Sequence, residues 1–126
     1  MNEISPEVQT GTIGELLVQV RLLQYGFQAA RPLQDSGNDL IAIRGEVFRD
    51  IQVKTTKRDW YSKDRLPERY HILAIVQLLG DGREIFLDKS RVFLVPREIV
   101  DKISTRCDAL EEHLLTQGHV DRLFHG

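Results

Sequence analysis

An acid, an amide and an ammonium group stand close together in the stretch Asp39-Leu-Ile-Ala-Ile-Arg-Gly45-Glu46-Val-Phe-Arg-Asp-Ile-Gln52-Val-Lys54. Two apolar runs flank Gly45-Glu46, and Gly at the first position of a two-residue loop predicts a type II′ hairpin. Arg44 then faces Val47 and, counting outward, Asp39 faces Gln52. Directly opposed residues have Cβ atoms about 4.5–5.5 Å apart. Alternation puts Lys54 on the same face as Gln52. Two readings stay open on these residues. One is an Asp39–Lys54 salt bridge closing a hairpin, with Gln52 hydrogen-bonded nearby. The other is a Mg²⁺ site: this ion takes hard oxygen ligands and only one or two carboxylates, leaving room for phosphate and water. Asp39 and the Gln52 amide oxygen suit such a site, and Lys54 could orient or activate the attacking water.

Taken with an upstream helix carrying Glu15, the order Glu15, Asp39, Gln52-Val53-Lys54 resembles the PD-(D/E)xK nuclease superfamily over roughly residues 10–95. The nearest variants have Gln in place of the second acid, among intron homing endonucleases and Holliday-junction resolvase-like proteins. Asn38 stands where the name-giving Pro would be. The resemblance implies a restriction-endonuclease-like α/β fold, an N-terminal helix on a mixed sheet of four or five strands with C-terminal helices. It implies a Mg²⁺- or Mn²⁺-dependent DNA endonuclease with Glu15, Asp39, Gln52 and Lys54 in the site. Asp39, Gln52, the Val53 carbonyl and Glu15 would be the metal ligands. DNA, including branched DNA, is the implied substrate, and cutting two strands suggests a homodimer or higher homo-oligomer. Gln52 lowers the ligand charge. A weak or inactive nucleic-acid-binding module of the same fold, or a structural subunit, is the alternative.

The composition fits this frame. A chain of 126 residues is enough for one domain, expected over residues 1–126. Hydrophobic content of 41% and charged content of 29% describe a globular chain. No apolar run approaches the roughly 18 residues of a spanning helix. The N-terminus lacks a signal pattern, and a lone Cys107 suits a reducing compartment, so the expected location is cytoplasmic, away from membranes. A net charge of −2 argues against nucleic-acid binding by bulk charge. Residues 40–70, however, carry eight Lys/Arg against five Asp/Glu.

Thr10 is a candidate N-cap for a helix running to about Tyr25, with Gly26 as its stop, while Ser5-Pro6-Glu7 could cap a short first turn. Ile13, Leu16, Leu17, Val20 and Leu23 form the main apolar stripe, with Val18, Leu22 and Tyr25 on a second side. Glu15 falls near that second side. It is either a site residue or an acid favoured by the helix dipole. Gly11 and Gly14 suggest close approach of a sheet or a phosphate backbone, or a frayed first turn. Phe27–Leu33 is a possible short strand limited by Pro32, and residues 34–38 are a turn, with Asp35 holding it. Thr55, Thr56, Lys57, Arg58, Trp60, Lys63 and Arg65 are the candidate DNA contacts, with Tyr61 and Tyr70 as further stacking aromatics. His71–Leu79 predicts a strand buried on both faces. Ile85–Leu87 and Val92–Val95 predict short strands. Pro96 is placed to open a helix to about Ser104, and residues 107–116 to form an amphipathic helix with Leu110, Leu114 and Leu115 inward. The histidines have no metal-ligand spacing and suggest surface or strand-end positions.

Overall fold

The computed structural model describes residues 4–32 and 39–125. The expected turn at 34–38, with Leu33, Asp35 and Asn38, lies outside the described residues. Helix α1 (Pro6–Gln24) is followed by strands β1 (Gln28–Ala30), β2 (Leu40–Arg44), β3 (Val47–Thr56), β4 (Ile72–Gln77) and β5 (Arg91–Pro96). Two 3₁₀ helices, Arg97–Lys102 and Cys107–His113, precede a short helix α2 (Gln117–Leu123). The strands lie in sequence order in one mixed sheet. Only the β3–β4 pair is parallel; the other three pairs are antiparallel. No helix among the described residues is long and apolar enough to cross a membrane.

The hairpin register is as expected: Arg44 pairs with Val47 and Leu40 with Ile51. Gly45 has φ 62, while Glu46 is not among the positive-φ residues, as a II′ turn requires. Each face of the sheet has its own core. Leu40, Ile51, Val53, Ala74 and Leu94 pack with Leu17, Val18 and Leu22 of α1 and with Val120 and Phe124 at the C-terminal end. Leu73, Ile75, Phe93 and Val95 face the other way, onto Tyr61, Tyr70, Val100 and Leu110. All six residues of β4 are buried, in line with its unbroken apolar run.

Helix α1 differs from its expected form in two ways. It starts at Pro6, because Ser5 Oγ accepts the Val8 N–H at 3.2 Å and Pro needs no N–H donor at N1; Thr10 is interior. The face on the sheet joins the second apolar side to Leu17 and Ile13 of the main stripe and leaves the rest of that stripe outside. Gly14, Leu17, Val18 and Leu22 are buried, whereas Leu16, Val20 and Leu23 are exposed. Two apolar sides competed, and Gly14 decides between them, since it alone lets the helix axis close on β3. The Thr55 side chain fills the space where a Gly14 side chain would be. A side chain at Gly11 would meet no other part of the fold within 4 Å.

The C-terminal third departs from helix expectations as well. Pro96 ends β5 and precedes a 3₁₀ helix. Residues 107–113 form a second 3₁₀ helix, because the chain then leaves to cover the β5 edge: Leu115 N donates to Val92 O at 2.9 Å. Ile85 makes only an isolated bridge to Gly80. The tail docks, with Phe124 against Phe27 at 4.4 Å between ring centroids.

His113 and His119 are buried, contrary to the surface expectation. His119 Nε2 meets the Leu94 carbonyl at 2.6 Å, and Nδ1 lies 3.3 Å from Arg122. With Nε2–H donating and Nδ1 accepting, the ring is neutral. Burial first, helped by the Arg122 charge, holds its pKa below the ordinary value against the pull of the Leu94 carbonyl. The unfolded chain therefore takes up the proton first. This stability contribution is complete above the unfolded imidazole value of about 6.5 and is lost as pH falls through the depressed folded value. Urea unfolding across pH 5–8 should show stability declining on the acid side. His119→Gln, which keeps a donor for Leu94, should flatten that slope.

Candidate active site at the open edge of β3

Strand β3 outruns β2. Beyond Leu40 the β2 side of β3 has no strand partner among the described residues, and Asp39 replaces it. Its N–H donates to Ile51 O at 3.1 Å, and its Oδ2 accepts the Val53 N–H at 2.8 Å. Both main-chain groups of a strand residue point the same way, so the Val53 carbonyl faces this open edge too. A groove of about 760 Å³ runs along the edge under the N-terminal half of α1. Glu15, Asp39, Gln52, Val53 and Lys54 all line it, together with Arg31, Lys57 and Arg58.

The five site residues arrive from different layers. Ile51, Val53 and Thr55 turn their side chains toward α1, so Gln52 and Lys54 leave on the opposite face. Glu15 comes from the α1 layer and lies beside Asp39 around the sheet edge, close enough for the two carboxyls to interact. Because α1 turns its Val18–Leu22 side to the sheet, Glu15 points to the site. Burial first, then the neighbouring Asp39 carboxylate, raise the Glu15 pKa. Arg31, 3.8 Å away, pulls it back. A carboxyl pair that favours a shared proton also favours a cation in the proton's place.

Gln52 Oε1 is buried and has no hydrogen-bond partner among the described residues. A buried carbonyl oxygen left bare costs about 1–3 kcal/mol. Among the described residues no three His, Cys, Asp or Glu side chains gather as a metal site. A cation here would depend on Gln52 and the main chain beside the two acids. Lys54 Nζ donates to the carbonyl of Asp64, which ties the site to the 57–70 loop. The next residue, Arg65, sits at φ 59, a region non-glycine residues seldom adopt.

The expected DNA contacts divide. Lys57 and Arg58 line the groove, and Trp60 is exposed with Arg58 stacked 5.4 Å from its ring. Arg65 is exposed. Thr55 Oγ1 is buried against Gly14, so it is not placed to meet a phosphate. Thr56 Oγ1 holds the turn, donating to Trp60 O and accepting from Arg58 N. Lys63 donates to the Ile103 carbonyl. Tyr61 and Tyr70 are core residues rather than stacking platforms; the Tyr61 hydroxyl donates to Ser104 O at 2.7 Å. Two contributors escape sequence reasoning. Arg31 gives no signal beyond its charge. Gln77, a lone amide at the end of an apolar run, is 2% exposed and anchors the Arg58 carbonyl at 3.1 Å.

A sheet that frays at one edge around two acids, an amide and a lysine belongs to an α/β fold that nucleases also use. A solved structure of a bacterial homing endonuclease, I-Ssp6803I, is similar, with a TM-score of 0.56 over 82% of this chain and 73% of that chain. Identity is 16%, so the likeness concerns the fold. No family model matches the chain, and no curated protein matches it in sequence.

Proposed function

We propose that this chain is a divalent-metal-dependent endonuclease that hydrolyses phosphodiester bonds in DNA. The observation that carries the reading is the bare, buried Gln52 oxygen in the groove that holds the Glu15–Asp39 pair. All available donors are hard oxygens, which suits Mg²⁺ or Mn²⁺. Asp39, Glu15, the Gln52 amide oxygen and the Val53 carbonyl would hold the ion. When bound, it supplies Lewis-acid polarisation of the phosphate and a lowered pKa for its water. Asp39 is fixed by the Val53 N–H and needs no rearrangement to act. Arg31, Lys57 and Arg58 would draw the backbone phosphates to the groove, and Trp60 offers a face for a base. Lys54 has three donor hydrogens. One meets the Asp64 carbonyl, and the ammonium group can steady charge growing on the phosphate oxygens.

The direct test is incubation of supercoiled, linear and branched DNA with the protein in Mg²⁺ or Mn²⁺. Cleavage that requires the metal supports the proposal, and absence of cleavage on every substrate removes it. A second test needs no substrate. Gln52→Glu adds ligand charge and should tighten Mn²⁺ binding about tenfold, as ligand charge count does at carboxylate sites. Calorimetry or Mn²⁺ electron paramagnetic resonance reads this. Unchanged affinity would show that residue 52 does not touch the ion.

A further inference from the structure

We infer that Arg65 is a positioning residue: its left-handed backbone aims the Asp64 carbonyl at the Lys54 ammonium group and so holds that group in the groove. The inference rests on the reading of the groove as a nuclease site, and it names what keeps the lysine of that site in place.

Lys54 needs a holder. A lysine carries a compact charge at the end of a flexible four-carbon stem. Lys54 leaves β3 on the face away from α1, which the 57–70 loop covers through Tyr61 and Tyr70. Among the described residues no carboxylate forms an ion pair with it. Its partner there is the Asp64 carbonyl, at a separation of 10 residues.

The arm that carries this carbonyl is fastened on both sides. Before it, the Tyr61 N–H donates to Thr105 O at 3.0 Å and the Tyr61 hydroxyl to Ser104 O at 2.7 Å. Lys63 Nζ donates to Ile103 O, and the Asp64 N–H to Ser62 Oγ at 3.0 Å. After it, Leu66 packs on the core of Leu73 and Phe93, and the ring of Pro67 fixes its own φ. With both flanks held, the peptide between Asp64 and Arg65 is aimed by the dihedrals on either side of it. One of these is φ of Arg65, which stands at 59. Among the described residues Arg65 is the one non-glycine with positive φ. An L side chain resists this region, and surroundings that enforce it are found above all at active sites and clamps. The Arg65 side chain is exposed, so its packing does not impose the conformation. What the conformation achieves is the direction of the Asp64 carbonyl. A donor fixed before the substrate arrives needs no reorganisation during the reaction.

The test compares substitutions that remove the same side chain and differ in backbone preference. Arg65→Gly and Arg65→Asn accept the left-handed region, Arg65→Ala accepts it less readily, and the β-branched Arg65→Val least. Any phosphate contact of the Arg side chain is lost equally in all four. Without metal or DNA, NMR of the ¹⁵N-labelled lysine Nζ groups should show the Lys54 ammonium as ordered in the Gly and Asn variants as in wild type, and freed in the Val variant. On DNA that the wild type cuts, Arg65→Val should have a kcat at least about tenfold below that of Arg65→Gly, part of the roughly hundredfold that a misplacement of about 1 Å costs. KM and Mn²⁺ affinity should agree between these two variants, because Asp39 is fixed by the Val53 N–H instead. Arg65→Ala, the milder change, should fall between them in both readouts. A Lys54 ammonium equally ordered in every variant overturns the inference whatever the activity, as does an Arg65→Val protein that cuts as fast as Arg65→Gly. The expected Lys54 ordering in a wild type that cuts no DNA would support the placement of Lys54 and remove the endonuclease reading alone.

Discussion

Asp39→Asn is expected to lower metal-dependent DNA cleavage by at least about 10²–10³, the loss typical when a preorganised electrostatic group is removed from a site. Asn is the informative choice. Its side-chain oxygen can still accept the Val53 N–H that Asp39 Oδ2 now holds at 2.8 Å, so the end of β2 stays in place. Ala would remove charge and hydrogen bond together. A second readout separates chemistry from structure. In wild type, metal at a hundred times its dissociation constant should stabilise the fold by about 2.7 kcal/mol; in Asp39→Asn that increment should largely disappear. Without metal, the variant should be the more stable of the two near neutral pH. The Asp39 charge is one of the causes that raise the Glu15 pKa, so ionised Glu15 is penalised by its neighbour. Removing the charge relieves that penalty where both acids are ionised and gives no gain once acid protonates Glu15. Cleavage that survives Asp39→Asn would move the site away from the β3 edge.

The hairpin was legible because its information is local. Gly45 sets the turn, and the turn sets the register as far as Leu40 against Ile51; Asp39, expected opposite Gln52, instead bonds the Ile51 carbonyl and the Val53 N–H. β4 was equally plain, since a strand buried on both faces has no polar interruption to misplace. The orientation of α1 was not legible in the same way. Its two apolar sides are nearly equal, and the apolar pattern alone favoured Leu16, Val20 and Leu23. What reverses the choice is a contact between residues far apart in sequence, Gly14 on Thr55. The same fact resolves the position of Glu15, which the periodicity placed away from the presumed core. The C-terminal segments failed for a related reason. Leu110, Leu114 and Leu115 have helical spacing, but the edge of β5 offers unpaired backbone groups, and the chain leaves the helix to bond them. The 57–70 loop shows a further limit. Composition marked it as basic and aromatic, yet only packing tells that Tyr61 and Tyr70 enter the second core and that Lys63 bonds the Ile103 carbonyl, while Lys57, Arg58 and Trp60 remain outside.

Gly14→Ala is expected to cost about 3 kcal/mol of stability, the upper part of the usual range for overpacking, and to lower the unfolding temperature by about 10 °C for a domain of this size. An added Cβ would overlap Thr55 Oγ1 and come within 2.8 Å of Thr55 Cβ and Cγ2. Thr is β-branched and stiff about χ1, so it has little room to turn away. The intrinsic helix preference of Ala works in the other direction, by about 1 kcal/mol. A net loss therefore isolates the steric term. Thr55→Ala should lose little by itself, because its hydroxyl is buried without a partner among the described residues. In Gly14→Ala/Thr55→Ala the two overlapping outer atoms are gone, and part of the loss should return. The double-mutant cycle should then give a coupling of about 1–2 kcal/mol, as contacting residues do. The effect should also reach the chemistry. Glu15 is the next residue along α1, so a helix lifted from β3 carries that carboxyl away from Asp39. Metal affinity should fall in Gly14→Ala and recover with stability in the double variant. Additive effects in the cycle would mean that α1 does not rest on Thr55, and the orientation that brings Glu15 to Asp39 would lose its basis.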